Sequence, residues 1–151
     1  ASTVYHSVID QRLKHIFRIV DHISIYFLIA GTHTPLVLLY LHQPSGWYFL
    51  TGLWLMVLLG TIFKVFFTGR YEFFSITLYI LMGWSGLLVL PQMFEHMSNS
   101  SLYCLIAGGV LYSGGVIFYV WKRLPYHHAI WHLFVIAGTA AHFIAMMICF
   151  L

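Results

Sequence analysis

Asp21-His-Ile-Ser-Ile-Tyr-Phe-Leu-Ile-Ala-Gly-Thr-His-Thr-Pro-Leu-Val-Leu-Leu-Tyr-Leu41 continues, after one short polar break, into a second apolar stretch in which the next charge is Lys64. A soluble helix must cover a water-facing side, and an uncharged run of this length cannot. About 20 apolar residues cross the hydrocarbon core of a bilayer as a helix. There each backbone N–H and C=O must be bonded within its own segment, which a helix achieves alone. A membrane barrel would show segments of roughly 10 alternating residues, and this sequence has none.

The rest of the chain repeats the pattern. Residues 73–94, 96–121 and 124–151 also lack Asp, Glu, Lys and Arg. Charged residues are 7% of the 151 positions and the mean hydropathy is +0.88. A soluble domain carries about 25% charged residues, so that class is excluded. The expected partner is the lipid bilayer. A net charge of +3 carries no nucleic-acid signature, and no nucleic-acid partner is expected. Cys104 and Cys149 do not make a disulfide scaffold and read as inert buried thiols.

Polar breaks divide the chain. Leu41-His-Gln-Pro-Ser-Gly46 separates spans at 19–41 and 46–66. A break from Lys64 through Glu72 precedes a span at 72–92, which Pro91 is expected to end. Glu95-His-Met-Ser-Asn-Ser-Ser101 leads to a span at 101–121, and the basic turn Lys122-Arg-Leu-Pro125 to a last one at 127–150. Residues 1–10 are too short to cross and read as the last turns of a helix whose earlier part is missing. The expectation is one all-α, polytopic transmembrane bundle over 1–151. Pro35, inside the first full span, is expected to kink it, with Gly31 relieving the clash. Gly109 and Ser113 form a small-xxx-small pair suited to close helix packing.

Orientation follows from the basic residues. Arg12, Lys14, Arg18, Lys64, Arg70, Lys122 and Arg123 fall before the first full span, after the second and after the fourth. Those loops share one side, the cytoplasmic one, which puts the C-terminus outside.

Ten histidines in so apolar a chain call for a role, because ionisable groups at membrane depth are costly and often functional. His128-Ala-Ile-Trp-His132 places two imidazoles four apart on one helix face, able to share one metal ion. They stand in the first turns of the last span. His6 ends the initial stub and Asp21 opens the first full span, each on the same side of the membrane. His6, His128 and His132 with an open fourth position form the pattern of a catalytic Zn2+ site, whose metal lowers the pKa of its water to about 7. Asp21 is the candidate general base, and Ser2, four residues before His6, a candidate supporting or oxyanion donor. His33 and His142 lie too far along their helices to join and read as hydrogen-bonded interior residues. His22 and His127 flank the candidate residues.

Ser2-Thr-Val-Tyr-His6, Asp21 through Pro35, Met82-Gly-Trp84, Gly114-Gly-Val-Ile-Phe-Tyr119 and Arg123 through His132 together resemble the hemolysin III family, related to the progestin and adiponectin receptors and more distantly to alkaline ceramidases. The resemblance covers nearly the whole chain. It implies a seven-span bacterial inner-membrane protein, with the first span and most of the second missing from this chain. It also implies zinc on His6, His128 and His132, with Asp21 near its water.

Four functions are compatible with these readings. A zinc-dependent hydrolase of lipid amides or esters uses the open coordination position. A receptor-like or membrane-homeostasis protein would hold zinc structurally. A cytolytic protein is implied by the family's name. Haem held by paired histidines is the least suited, because axial ligands approach from opposite faces.

Overall fold

The computed structural model describes residues 2–41, 44–94 and 96–150, and within them every side chain except those of Thr3 and His6. The loop positions His42, Gln43 and Glu95 lie outside the described residues. The elements are α1 (Ser2–Ser7), α2 (Gln11–Tyr40), α3 (Ser45–Phe67), α4 (Glu72–Trp84), a 3-10 segment (Ser85–Leu88), α5 (Leu90–Phe94), α6 (Asn99–Val120) and α7 (His127–Phe150). Among the described residues there is no strand. The fold is an all-α membrane bundle. Four helices, α2, α3, α6 and α7, are long and apolar enough to cross a bilayer, and Glu72–Leu88 is a shorter apolar helix.

Three boundaries differ from the sequence reading, each for a local reason. The helix of the first full span starts at Gln11 rather than near residue 19. Asp10 nucleates it: its Oδ1 accepts the backbone N–H of Arg12 at 2.9 Å and of Leu13 at 3.0 Å, satisfying donors a helix start leaves open. At 30 residues α2 is about 45 Å long, more than the hydrocarbon core needs. The break expected from Lys64 begins only after Phe67, so Lys64 is helical. Pro91 does not end a helix; it sits in the first turn of α5, where its missing N–H costs nothing.

Polar side chains inside α2 bond back to their own helix. The hydroxyls of Thr32 and Thr34 donate to the carbonyls of Leu28 and Ala30, at 2.8 and 2.7 Å, and His33 Nδ1 donates to Ile29 at 2.8 Å. These three bonds immediately precede Pro35, whose ring removes an N–H from the same ladder. α6 starts on Ser98, whose Oγ accepts the Ser101 N–H at 3.2 Å. Two entries are left-handed: Tyr71 (φ 54°) leads into α4 and Tyr126 (φ 59°) into α7.

The described chain divides into two compact units. The first comprises Ala1–Leu38 and His42–Gly83. Its core is Tyr26, Ala30, Leu53, Val57 and Met82, flanked by Phe49, Leu78 and Tyr79. The Tyr26 ring lies flat on Gly60 of α3, where a Cβ would stand 2.5 Å from Tyr26 Cζ. Only a glycine admits that ring. The second comprises Leu39–Leu41 and Trp84–Leu151. There α6 and α7 pack along their length, with the His142 ring seated on Gly108 and Ser101 Oγ donating to the Ala145 carbonyl at 2.8 Å. Gly109 and Ser113 receive an indole rather than a helix backbone: Trp84 covers Gly109 and donates Nε1–H to Ser113 Oγ at 2.9 Å.

The outer faces are apolar. Phe66 is 74%, Phe73 83% and Leu133 66% exposed, whereas Lys64, Ser75 and Ser101 are buried. A water-soluble protein would reverse this, and lipid tails are the solvent that suits it.

Candidate functional site

α7 begins where the basic turn closes: the N–H of His127 donates to Leu124 at 3.2 Å and that of Ile130 to Tyr126 at 3.0 Å. The four-residue spacing then puts His128 and His132 on one face. Their ring centroids are 4.6 Å apart and nearly perpendicular, at 86°, and the two Nε2 atoms meet at 3.1 Å. Tyr119 of α6 packs beside His128, with ring centroids 6.2 Å apart, and beside Trp131 at 5.4 Å.

The two Nε2 atoms share a hydrogen bond, and a metal held by both rings would take the place of that shared proton. Two nitrogens bonded tetrahedrally to zinc at 2.0–2.1 Å stand about 3.4 Å apart. The pair therefore fits two of the three positions of a three-histidine donor set with only a small opening of its geometry. Both rings are half-buried. The neighbouring His127 has a buried Nδ1 with no hydrogen-bond partner among the described residues.

Ser2, His6 and Asp21 belong to the first unit. Ser2 and His6 share α1, four residues apart; the His6 ligand assignment falls on a side chain outside those described. Asp21 lies half-buried in α2, well inside the helix rather than at its start. Its carbonyl accepts the Ser24 hydroxyl at 2.6 Å. The turn around it is held by α4. Tyr79 donates its hydroxyl to the His22 carbonyl at 3.0 Å, and Arg18 Nη2 donates to Glu72 Oε1 at 3.1 Å. His22 Nδ1 donates to the Arg18 carbonyl at 2.7 Å, which leaves Nε2 as the acceptor nitrogen of that ring. The structure thus brings His128 and His132 together. Among the described residues, no three His, Cys, Asp or Glu side chains are grouped to hold one ion.

His33 and His142 are hydrogen-bonded as the sequence suggested, His142 through Nε2 to the Leu105 carbonyl at 3.1 Å. Cys104 and Cys149 are both free thiols, and Cys149 Sγ lies 2.9 Å from Ser101 Oγ. The residue that sequence reasoning misplaced is Lys64. It reads as a loop cation marking one membrane face, yet it is fully buried inside α3. Its one local signal is its position between Phe63 and Val65, within an apolar run.

The sequence model of a family described as Haemolysin-III related matches residues 1–143. Hemolysin-3 of Bacillus cereus is 42% identical over 146 residues, covering 97% of this chain and 67% of that protein. The Hemolysin-3 homolog of Bacillus subtilis (strain 168) is 42% identical over 147 residues, covering 97% and 69%. The monocyte to macrophage differentiation factor of Homo sapiens is 33% identical over 151 residues, covering 96% of this chain and 62% of that protein. No solved structure matches the chain significantly.

Proposed function

The chain belongs to the Haemolysin-III related family of multi-pass membrane proteins, and on that premise we propose that it is a zinc-dependent hydrolase of lipid amides or esters. The observation that carries the reading is the meeting of His128 Nε2 and His132 Nε2 at the head of α7. With His6 as third ligand, these imidazoles would hold zinc, which supplies Lewis acidity toward a lipid carbonyl. Asp21 takes the proton of the attacking water and returns it to the leaving amine or alcohol. Ser2 donates a hydrogen bond at the carbonyl oxygen as negative charge develops there. The apolar outer faces let a lipid chain remain in hydrocarbon while its polar linkage reaches the histidines. The site is on the side of the basic loops, which we assign to the cytoplasm of a bacterial inner membrane, with the C-terminus outside.

Metal analysis of the purified protein tests this first. About one zinc per chain is expected, and His128→Ala and His132→Ala should each lose it. Hydrolysis of a panel of ceramides, N-acyl amides and esters should vanish with the metal. Full turnover in a metal-free His132→Ala variant would end the proposal.

A second reading, lysis of membranes, is favoured by the name of the Bacillus cereus relative. It predicts dye release from liposomes at low protein-to-lipid ratio. Release that is unaffected by His132→Ala would separate it from the hydrolase.

A further inference from the structure

Helical spacing puts His128 and His132 on one face of α7, but it does not point their nitrogens at each other. The second side-chain torsion of histidine is broad and roughly two-fold, so each ring can turn its Nε2 toward its neighbour or away. The two rings nonetheless stand at 86° with their Nε2 atoms 3.1 Å apart. Something must hold that torsion. The His127 and His132 rings beside His128 belong to α7 and move with it, whereas the Tyr119 ring comes from α6.

Tyr119 is itself held. It stands in the last turn of α6, which the Trp121 N–H closes on the Ile117 carbonyl at 3.1 Å. Its ring lies 5.4 Å from that of Trp131 and 6.2 Å from that of His128, tilted by 58° and 48°. These are ordinary separations for packed aromatic rings. Trp131 in turn rests on Gly115, four residues before Tyr119 on the same face of α6. A Cβ there would stand 3.0 Å from Trp131 Cε3 and 2.7 Å from Phe134 Cβ. Phe134 stacks on Phe118 at 5.0 Å. The bare backbone at Gly115 thus lets the head of α7 settle against α6, and the Tyr119 ring packs on both Trp131 and His128.

We propose that Tyr119 is a positioning residue: its ring sets the His128 imidazole so that Nε2 faces His132, and the donor pair is preset before a metal arrives. The consequence for zinc rests on the proposed function; the preset pair itself needs no metal.

The test uses the purified protein in detergent with 15N-labelled histidine, metal-free and at alkaline pH. The scalar coupling between His128 Nε2 and His132 Nε2 across their shared hydrogen bond is the readout. It should be present in wild type and in Tyr119→Phe, which keeps the ring, and lost in Tyr119→Ala and Tyr119→Leu. Zinc affinity, titrated on the same proteins, should fall about 10- to 100-fold in the Ala and Leu variants and stay unchanged in Tyr119→Phe. Should Tyr119→Ala fail to fold, Tyr119→Leu, which keeps the apolar bulk, carries the same test. An undiminished coupling in Tyr119→Leu overturns the proposal, as does its loss in Tyr119→Phe or its absence from wild type. A protein that binds no zinc, yet shows the coupling and loses it in Tyr119→Leu, ends the zinc reading and supports this one.

Discussion

At the scale of single residues, the histidine pair and the buried Lys64 differ in how much of them the sequence discloses. His128 and His132 were legible because helical spacing fixes their common face wherever the helix goes. Lys64 was not legible, because its burial comes from α2 and α4, which are distant in sequence. Asp21→Asn keeps the shape and hydrogen-bonding reach of the side chain but removes its basicity. It should retain zinc and lose at least about 100-fold in lipid turnover, the range for a lost general base. Equal loss of metal and turnover in that variant would instead make Asp21 a ligand. Gly60→Ala drives a methyl into the Tyr26 ring, which is locked between α3 and Tyr79. Overpacking of that kind costs about 1–3 kcal/mol, measurable as a shift of the denaturation midpoint in detergent.

At the scale of elements, α3, α6 and α7 lie within one or two residues of the expected spans, whereas α2 starts earlier than expected and the expected span at 72–92 is broken after Trp84. A segment's interior announces itself through twenty residues of composition, whereas an end depends on one or two atoms. The start of α2 is set by the Asp10 carboxylate, which no hydropathy pattern records. Asp10→Ala should cost about 1 kcal/mol of stability and fray residues 11–14, seen as faster amide exchange there with α3 unaffected. The Arg18–Glu72 pair, partly exposed at 37% and 29%, adds at most about 1 kcal/mol of its own. Its value to the fold is to tie α4 beside the turn that carries Asp21.

At the scale of the whole molecule, the solvent decides the architecture. With lipid outside, burial of apolar area does not distinguish inside from outside, and helices associate through close packing and polar contacts. The seating of His142 on Gly108 and the Ser101–Ala145 bond are of that kind. This explains why the membrane class was legible from composition while the partner of each helix was not. For the proposed zinc site, the same packing predicts that metal can leave without unfolding the helices. Removing zinc with a chelator should abolish lipid hydrolysis and leave far-ultraviolet circular dichroism unchanged, with activity restored by added zinc. Collapse of the helical signal on chelation would favour the receptor-like reading with structural zinc.

The left-handed tyrosine at the entrance to α7 bears on how such a centre could open. A bulky residue at φ 59° stores roughly 1–2 kcal/mol that its neighbours must restrain. If the first turn of α7 unwound, that tension would be released and His128 would leave His132. Deuterium uptake at residues 127–130 should outpace the rest of α7, and Tyr126→Gly should slow it.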